Sequence, residues 1–199
     1  MKSSLILILL LCSCQSSYQS IDLLAKDHSW SRSNYGSSAD INFATNSLIL
    51  DMGDPINGVT WTQELPSKTS YEIKFEAKRL IGNDFFCALT FPVNTDYCSL
   101  IIDGWGSTVT GLSSINNLDA SENETTLNLD IENQRWYKIK LRVYEQFVTV
   151  KVDDKTIIKL NTKGKKLSIR PEVYPSIPLG LASFYTSAEY RDFTYTQLK

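Results

Sequence analysis

The sequence predicts an all-β protein made of two packed antiparallel sheets, and three observations predict it. Two segments alternate strictly: Tyr71, Ile73, Phe75 and Ala77 against Glu72, Lys74, Glu76 and Lys78, then Tyr137, Ile139, Leu141 and Val143 against Lys138, Lys140 and Arg142. Successive side chains of a strand point to opposite faces, so each segment buries one side and wets the other. Strand-like runs recur at short spacing elsewhere, and no long stretch carries the apolar period of a helix. Without crossover helices the strands cannot run parallel, which leaves antiparallel sheets stacked face to face.

Taken in order, strands are expected at residues 47–51, 59–62 and from Tyr71 through the run SYEIKFEAKR. Residues 85–91 and 97–103 follow, flanking the turn-like PVNTD. Cys87 and Cys98 lie in these two strands, and a turn of that length sets them off from each other by a residue or more. A bridge needs near-direct opposition, so buried thiols are favoured while a disulfide stays open. Further strands are expected at 125–131 and 135–143, and EQFVTVKVDDKTIIKLN reads as two strands around a tight turn at Asp153-Asp154. The last two are expected at 179–185 and 190–197.

The chain opens MKSSLILILLLCSC, with one lysine ahead of the aliphatic run from Leu5 to Leu11. That run is far short of the ~20 residues of a spanning helix and reads as a signal peptide. Leu11-Cys12-Ser13-Cys14 looks like a bacterial lipobox, which makes residues 1–13 the cleaved signal and Cys14 the lipidated N-terminus. The alternative is an ordinary signal whose cysteines fall there by chance. Residues 14–27 are expected as a tether and 28–199 as a single domain. The resulting localisation is the bacterial cell envelope, lipid-anchored, with Gln15 pointing to the outer membrane.

Composition narrows the chemistry. The chain has a formal charge of −2 and offers no basic patch for nucleic acid. His28 is the only histidine, so a multi-histidine zinc site is excluded and any Ser-His-Asp or Cys-His arrangement would have to use that ring. Carboxylates, tyrosines, lysines and arginines remain, a set typical of carbohydrate-active proteins.

One stretch differs from the rest: DGWGSTVTGLSSINNLDASENETT, with Trp105 between two glycines and a following run of Ser, Asn, Asp and Glu. Trp105 is either an aromatic platform for a sugar or a core plug at a strand end. Asp119, Glu122 and Glu124 supply oxygen ligands of the kind Ca²⁺ accepts, though without the spacing of a known loop, so a solvated acidic loop is the other reading. Glu76, Arg79, Asn83 and Asp84 form a second polar group. A glycosidase needs two carboxylates ~5 to 9 Å apart, and the Glu-x-Asp-x-x-Glu signature of many sandwich-fold glycosidases is absent.

The segments GNDF (82–85), YCSLIID (97–103), RWYKIKLRV (135–143), VDDKTII (152–158), PLGLASF (178–184) and YRDF (190–193) together resemble the 3-keto-disaccharide hydrolase domain of the concanavalin A-like lectin/glucanase superfamily. The resemblance spans about residues 28–198 and implies a jelly-roll sandwich whose concave face or rim meets carbohydrate. It also implies cleavage of glycosides oxidised at the sugar 3-position, where the ketone acidifies neighbouring C–H bonds and a base starts an elimination. Cys98 and Leu100 stand where the family carries Glu and Gln, which marks a divergent branch.

The sequence therefore supports a lectin-like lipoprotein binding glycan through Asn83, Trp105, Ser113, Asp119 and Asn123, with Asp84 and Asp103 beside them. The alternative is a hydrolase using Glu76, Asp84, Asp103 or Glu122 as acid or base, and a third reading is a structural envelope domain without a sugar site. No metal ligand set is assigned, calcium is admitted as a cofactor, and a monomer is expected.

Overall fold

Alternation in the sequence becomes two sheets in the computed structural model, which describes residues 19–25 and 29–199. The segment expected as a signal peptide, Cys14 and His28 lie outside the described residues. The larger sheet has eight strands. It runs β12 (Lys155–Asn161), β11 (Phe147–Val152), β10 (Tyr137–Tyr144), β6 (Ser70–Gly82), β14 (Thr186–Gln197), β4 (Ser47–Leu50) and β3 (Ile41–Ala44). β14 is long enough to pair with β6 on one flank and with β4 and then β1 (Ser20–Asp22) on the other. The smaller sheet runs β2 (Trp30–Arg32), β5 (Ile56–Trp61), β13 (Gly180–Phe184), β7 (Cys87–Val93), β8 (Asp96–Asp103) and β9 (Val109–Ser113). Among the described residues these strands pair antiparallel throughout, the jelly-roll sandwich expected.

The register shows what holds the sheets together. Ile73 faces Leu141 and Phe75 faces Ile139 on the inner side of the larger sheet. On the smaller sheet Val59, Leu181, Leu89, Leu100 and Leu112 form one continuous inward row across successive strands, each fully buried. Burying each such side chain contributes roughly 1.5–3 kcal/mol.

The outer side of the smaller sheet is built differently. Gly58, Ala182, Ala88, Ile101 and Gly111 occupy one transverse row, and Thr60, Gly180, Thr90, Ser99 and Ser113 the next. Small side chains there leave room for other segments to settle on the sheet. Tyr35 lies over Gly58, where a Cβ would come 2.9 Å from its ring, and a 3-10 helix (Pro171–Ser176) presses on Gly180, where a Cβ would come 2.6 Å from Ser176 Cβ. This face carries its own small apolar cluster, which includes Ile56, Ile101, Val109 and Phe184.

Three expectations are corrected. Residues 125–131 make only a bridge from Leu127 to Thr110, because Asn123 and Thr126 tie the preceding segment into turns. β9 forms at Val109–Ser113, where no strand was expected. The fold also begins before residue 28: Ser20–Asp22 pairs with β14, and Leu23 and Leu24 are buried, so this part of the expected tether belongs to the domain. Cys87 sits opposite Ile102 and Cys98 opposite Phe91, and both are free thiols. Burial pushes the Cys98 thiol up to about 12 and Cys87 higher still.

Candidate functional site

β8 ends at Asp103, and the chain turns back into β9 through a four-residue turn, Gly104–Ser107. Asp103, Trp105, Gly106 and Ser107 all have positive φ, between 52° and 69°. Left-handed backbone is costly for a residue with a side chain, so the turn must be held from outside. Asp84 Oδ2 accepts the Gly106 N–H at 2.9 Å, and Oδ1 accepts the Phe85 N–H at 2.7 Å. Ser107 Oγ lies 2.9 Å from the Asn83 carbonyl and 3.1 Å from Asp103 Oδ2, and it accepts from Arg79 at 2.7 Å. Arg79 also bonds Asp103, the Ile131 carbonyl at 2.8 Å and Asn133 Oδ1 at 2.5 Å.

Asp103 is only 2% exposed, and burial raises its carboxyl above the ordinary range against the opposing pull of Arg79 and Ser107. This network carries Trp105 to the surface. Its side chain is 39% exposed, whereas Trp30 and Trp61 are buried in the core.

Beside Trp105 opens a cleft of about 360 Å³ on the outer side of the smaller sheet. Phe85, Ile101 and Phe184 line it from the sheet side, with Ser99 and Ser113 at its floor. Arg170, at the N-cap of the 3-10 helix, and Glu172 and Val173 in its first turn complete the lining. Arg170 lies 6.0 Å from the centre of the Trp105 ring, ion-pairs with Asp119 and reaches Glu172 at 2.8 Å. The hydrogen bonds from Arg170 hold the Glu172 carboxyl below its usual range.

The residues singled out in the sequence thus separate. Asp84, Trp105 and Ser113 line the cleft, and Asp119 stands behind it on Arg170. Asn83 is exposed and contributes its carbonyl to the Trp105 turn, while Asp103 is an interior support. Asn123 is saturated: its amide donates to the Leu112, Leu118 and Asp119 carbonyls and its oxygen accepts from Thr125. Glu76 lies on the outer side of the larger sheet, across the core from the cleft, paired with Arg191 at 2.6 Å. Glu122 is exposed and lies outside the cleft lining.

Asp119 and Glu124 do not converge as a calcium site would require, since Asp119 turns to Arg170 and Glu124 to Lys165. Among the described residues no three His, Cys, Asp or Glu side chains assemble a metal site. Arg170 and Glu172 went unseen in the sequence because they lie some 65 positions from Trp105, and their only signal is the charged pair flanking Pro171.

No family model matches the chain, and no curated protein matches it in sequence. Solved structures do match it. The carbohydrate-binding module CBM66 from Bacillus subtilis aligns with a TM-score of 0.59 at 13% identity, over 85% of this chain and 96% of that one. The Crh5 transglycosylase in complex with NAG aligns at 0.58 and 10% identity, over 92% and 84%. The VIP36 exoplasmic/lumenal domain in its Ca²⁺/Man3GlcNAc-bound form aligns at 0.56 and 10% identity, over 88% and 86%. At these identities the likeness establishes the fold, a concanavalin A-like sandwich.

Proposed function

We propose that this chain is a carbohydrate-binding module of the cell envelope, exported and lipid-anchored through Cys14, whose site is the cleft beside Trp105. The observation that carries the reading is Trp105 itself, an indole brought to the rim of a cleft by a left-handed turn that four polar residues support. A flat aromatic face receives the C–H side of a pyranose, while rim groups such as Glu172 and Arg170 meet hydroxyls. The neighbours in fold include a carbohydrate-binding module and two proteins whose structures hold NAG or Man3GlcNAc, which supports a sugar as the partner.

A glycan array probed with the purified chain lacking its signal segment tests this. Binding is expected, and Trp105→Ala should weaken it at least tenfold with the melting temperature nearly unchanged. A large loss of stability in that variant, or an array without signal, refutes the reading. The anchor is tested separately, by the loss of acyl label and of membrane association in Cys14→Ser.

One observation favours a second reading. Asp84 and Glu172 both line the cleft, so two carboxylates face one cavity, as an ordinary glycosidase requires, and either could be the base that a hydrolase of the 3-keto-disaccharide type needs. Of the four acids expected as catalytic, only Asp84 is there, and both its oxygens are engaged by backbone N–H groups, which favours binding over turnover. Released reducing sugar from 3-keto glucosides would reverse that preference.

A further inference from the structure

The cleft beside Trp105 is lined in a way that a bare sugar does not require. Its wall is overwhelmingly apolar, formed by Ile56, Phe85, Ile101, Val173 and Phe184. The polar groups around it are already bonded within the protein. Asp84 accepts two backbone N–H groups, Arg170 is engaged by Asp119 and Glu172, and the Ser99 hydroxyl lies 2.9 Å from that of Thr90. A pyranose carries hydroxyls all round its ring, and pushing it into such a cavity strips them of water with few partners in exchange. An apolar group entering the same space loses nothing and gains burial.

Charge then limits which apolar group enters. Asp84 and Glu172 on the rim and Asp119 behind it surround one guanidinium, that of Arg170, so negative charge is in excess there and a carboxylate- or sulfate-headed chain is repelled. The volume of about 360 Å³ falls within the range of sites that hold small organic ligands.

We infer that the cleft takes the uncharged alkyl or aryl aglycone of a glycoside, with the sugar seated at the mouth against Trp105. This rests on the carbohydrate reading and names the class of glycoside. A free reducing sugar reaches only the mouth and binds weakly. The conjugate uses the mouth and the interior together.

Titration calorimetry with methyl and hexyl β-glycosides of glucose, galactose and mannose, and with hexanoate as the charged control, tests the inference on the chain lacking its signal segment. Affinity should rise roughly fourfold for each added methylene until the cavity is full, and hexanoate should not bind. Val173→Asp should remove most of the gain with chain length, and Trp105→Ala should weaken methyl and hexyl glycosides by a similar factor. The wild-type series decides the matter even if Val173→Asp fails to fold. Equal affinity for methyl and hexyl glycosides overturns the inference and leaves carbohydrate binding standing. Hexanoate binding as tightly as the hexyl glycoside overturns it by marking a lipid pocket indifferent to the sugar. Failure of every glycoside overturns both readings.

Discussion

Replacing Arg79 by leucine tests the network beneath Trp105. The Arg79 side chain is 8% exposed and that of Asp103 2%, so the substitution leaves a carboxylate in the interior without its partner. Breaking a buried pair from one side costs about 3–5 kcal/mol. Part of that is indifferent to pH, because the Ile131 carbonyl and Asn133 Oδ1 also lose a donor. The rest depends on the ionisation of Asp103.

In the wild type, burial raises the Asp103 carboxyl above its usual value of about 4. The folded chain therefore holds that proton more tightly than the unfolded chain does. Stability from this group is fully present below the unfolded value, falls as pH rises through the window up to the raised native value, and is level above it. Without Arg79 the native value climbs further and the window widens upward. Arg79→Leu should therefore lose more stability at pH 8 than at pH 5, with a melting point lowered on the order of 10 °C at neutral pH.

Urea denaturation followed by tryptophan fluorescence at both pH values measures this, and Arg79→Leu combined with Asp103→Asn should remove the pH dependence. A loss under about 1 kcal/mol, or equal losses at the two pH values, refutes the account of Asp103 as a buried, desolvated acid.

Other perturbations probe the remaining supports. Asp84→Ala removes the acceptor for the Gly106 and Phe85 N–H groups and should cost about 1–2 kcal/mol while lowering glycan affinity, measured by denaturation and calorimetry on one sample. Gly180→Ala places a methyl 2.6 Å from Ser176 Cβ and should lift the 3-10 helix from the sheet, seen as faster amide exchange across residues 171–176 and weaker binding. Cys87 and Cys98, buried and with raised thiol pKa values, should resist thiol reagents in the native state and react together on unfolding.

The larger sheet was legible because one side of β6 and β10 meets water, so charge alternates with apolar residues there. The smaller sheet was harder to read. Every residue of β7 is buried, the inner side by the core and the outer by the segments that settle on it, so alternation survives only as large against small: Leu89 and Phe91 inward, Ala88 and Thr90 outward. β9 escaped notice for the same reason, with Gly111 and Ser113 on its outer side. In the candidate site, Trp105 between glycines was readable because Gly106 takes left-handed backbone and Gly104 packs where a Cβ would come 2.9 Å from Ile101. The parts played by Asn83, Asp103 and Asn123 were not, since a polar residue that holds a loop and one that holds a ligand have the same composition. Only hydrogen bonds tell them apart.

The position of β14 has a consequence for folding. Its residues follow every other strand of the larger sheet along the chain, yet they lie in the middle of that sheet between β6 and the pair β4 and β1. A chain in which β14 has not yet docked has two half-sheets with unsatisfied edges and no way to join them, so a stable intermediate is denied to it until that strand is in place. This late keystone makes closure of the larger sheet a single event that waits on the long-range pairing of β14.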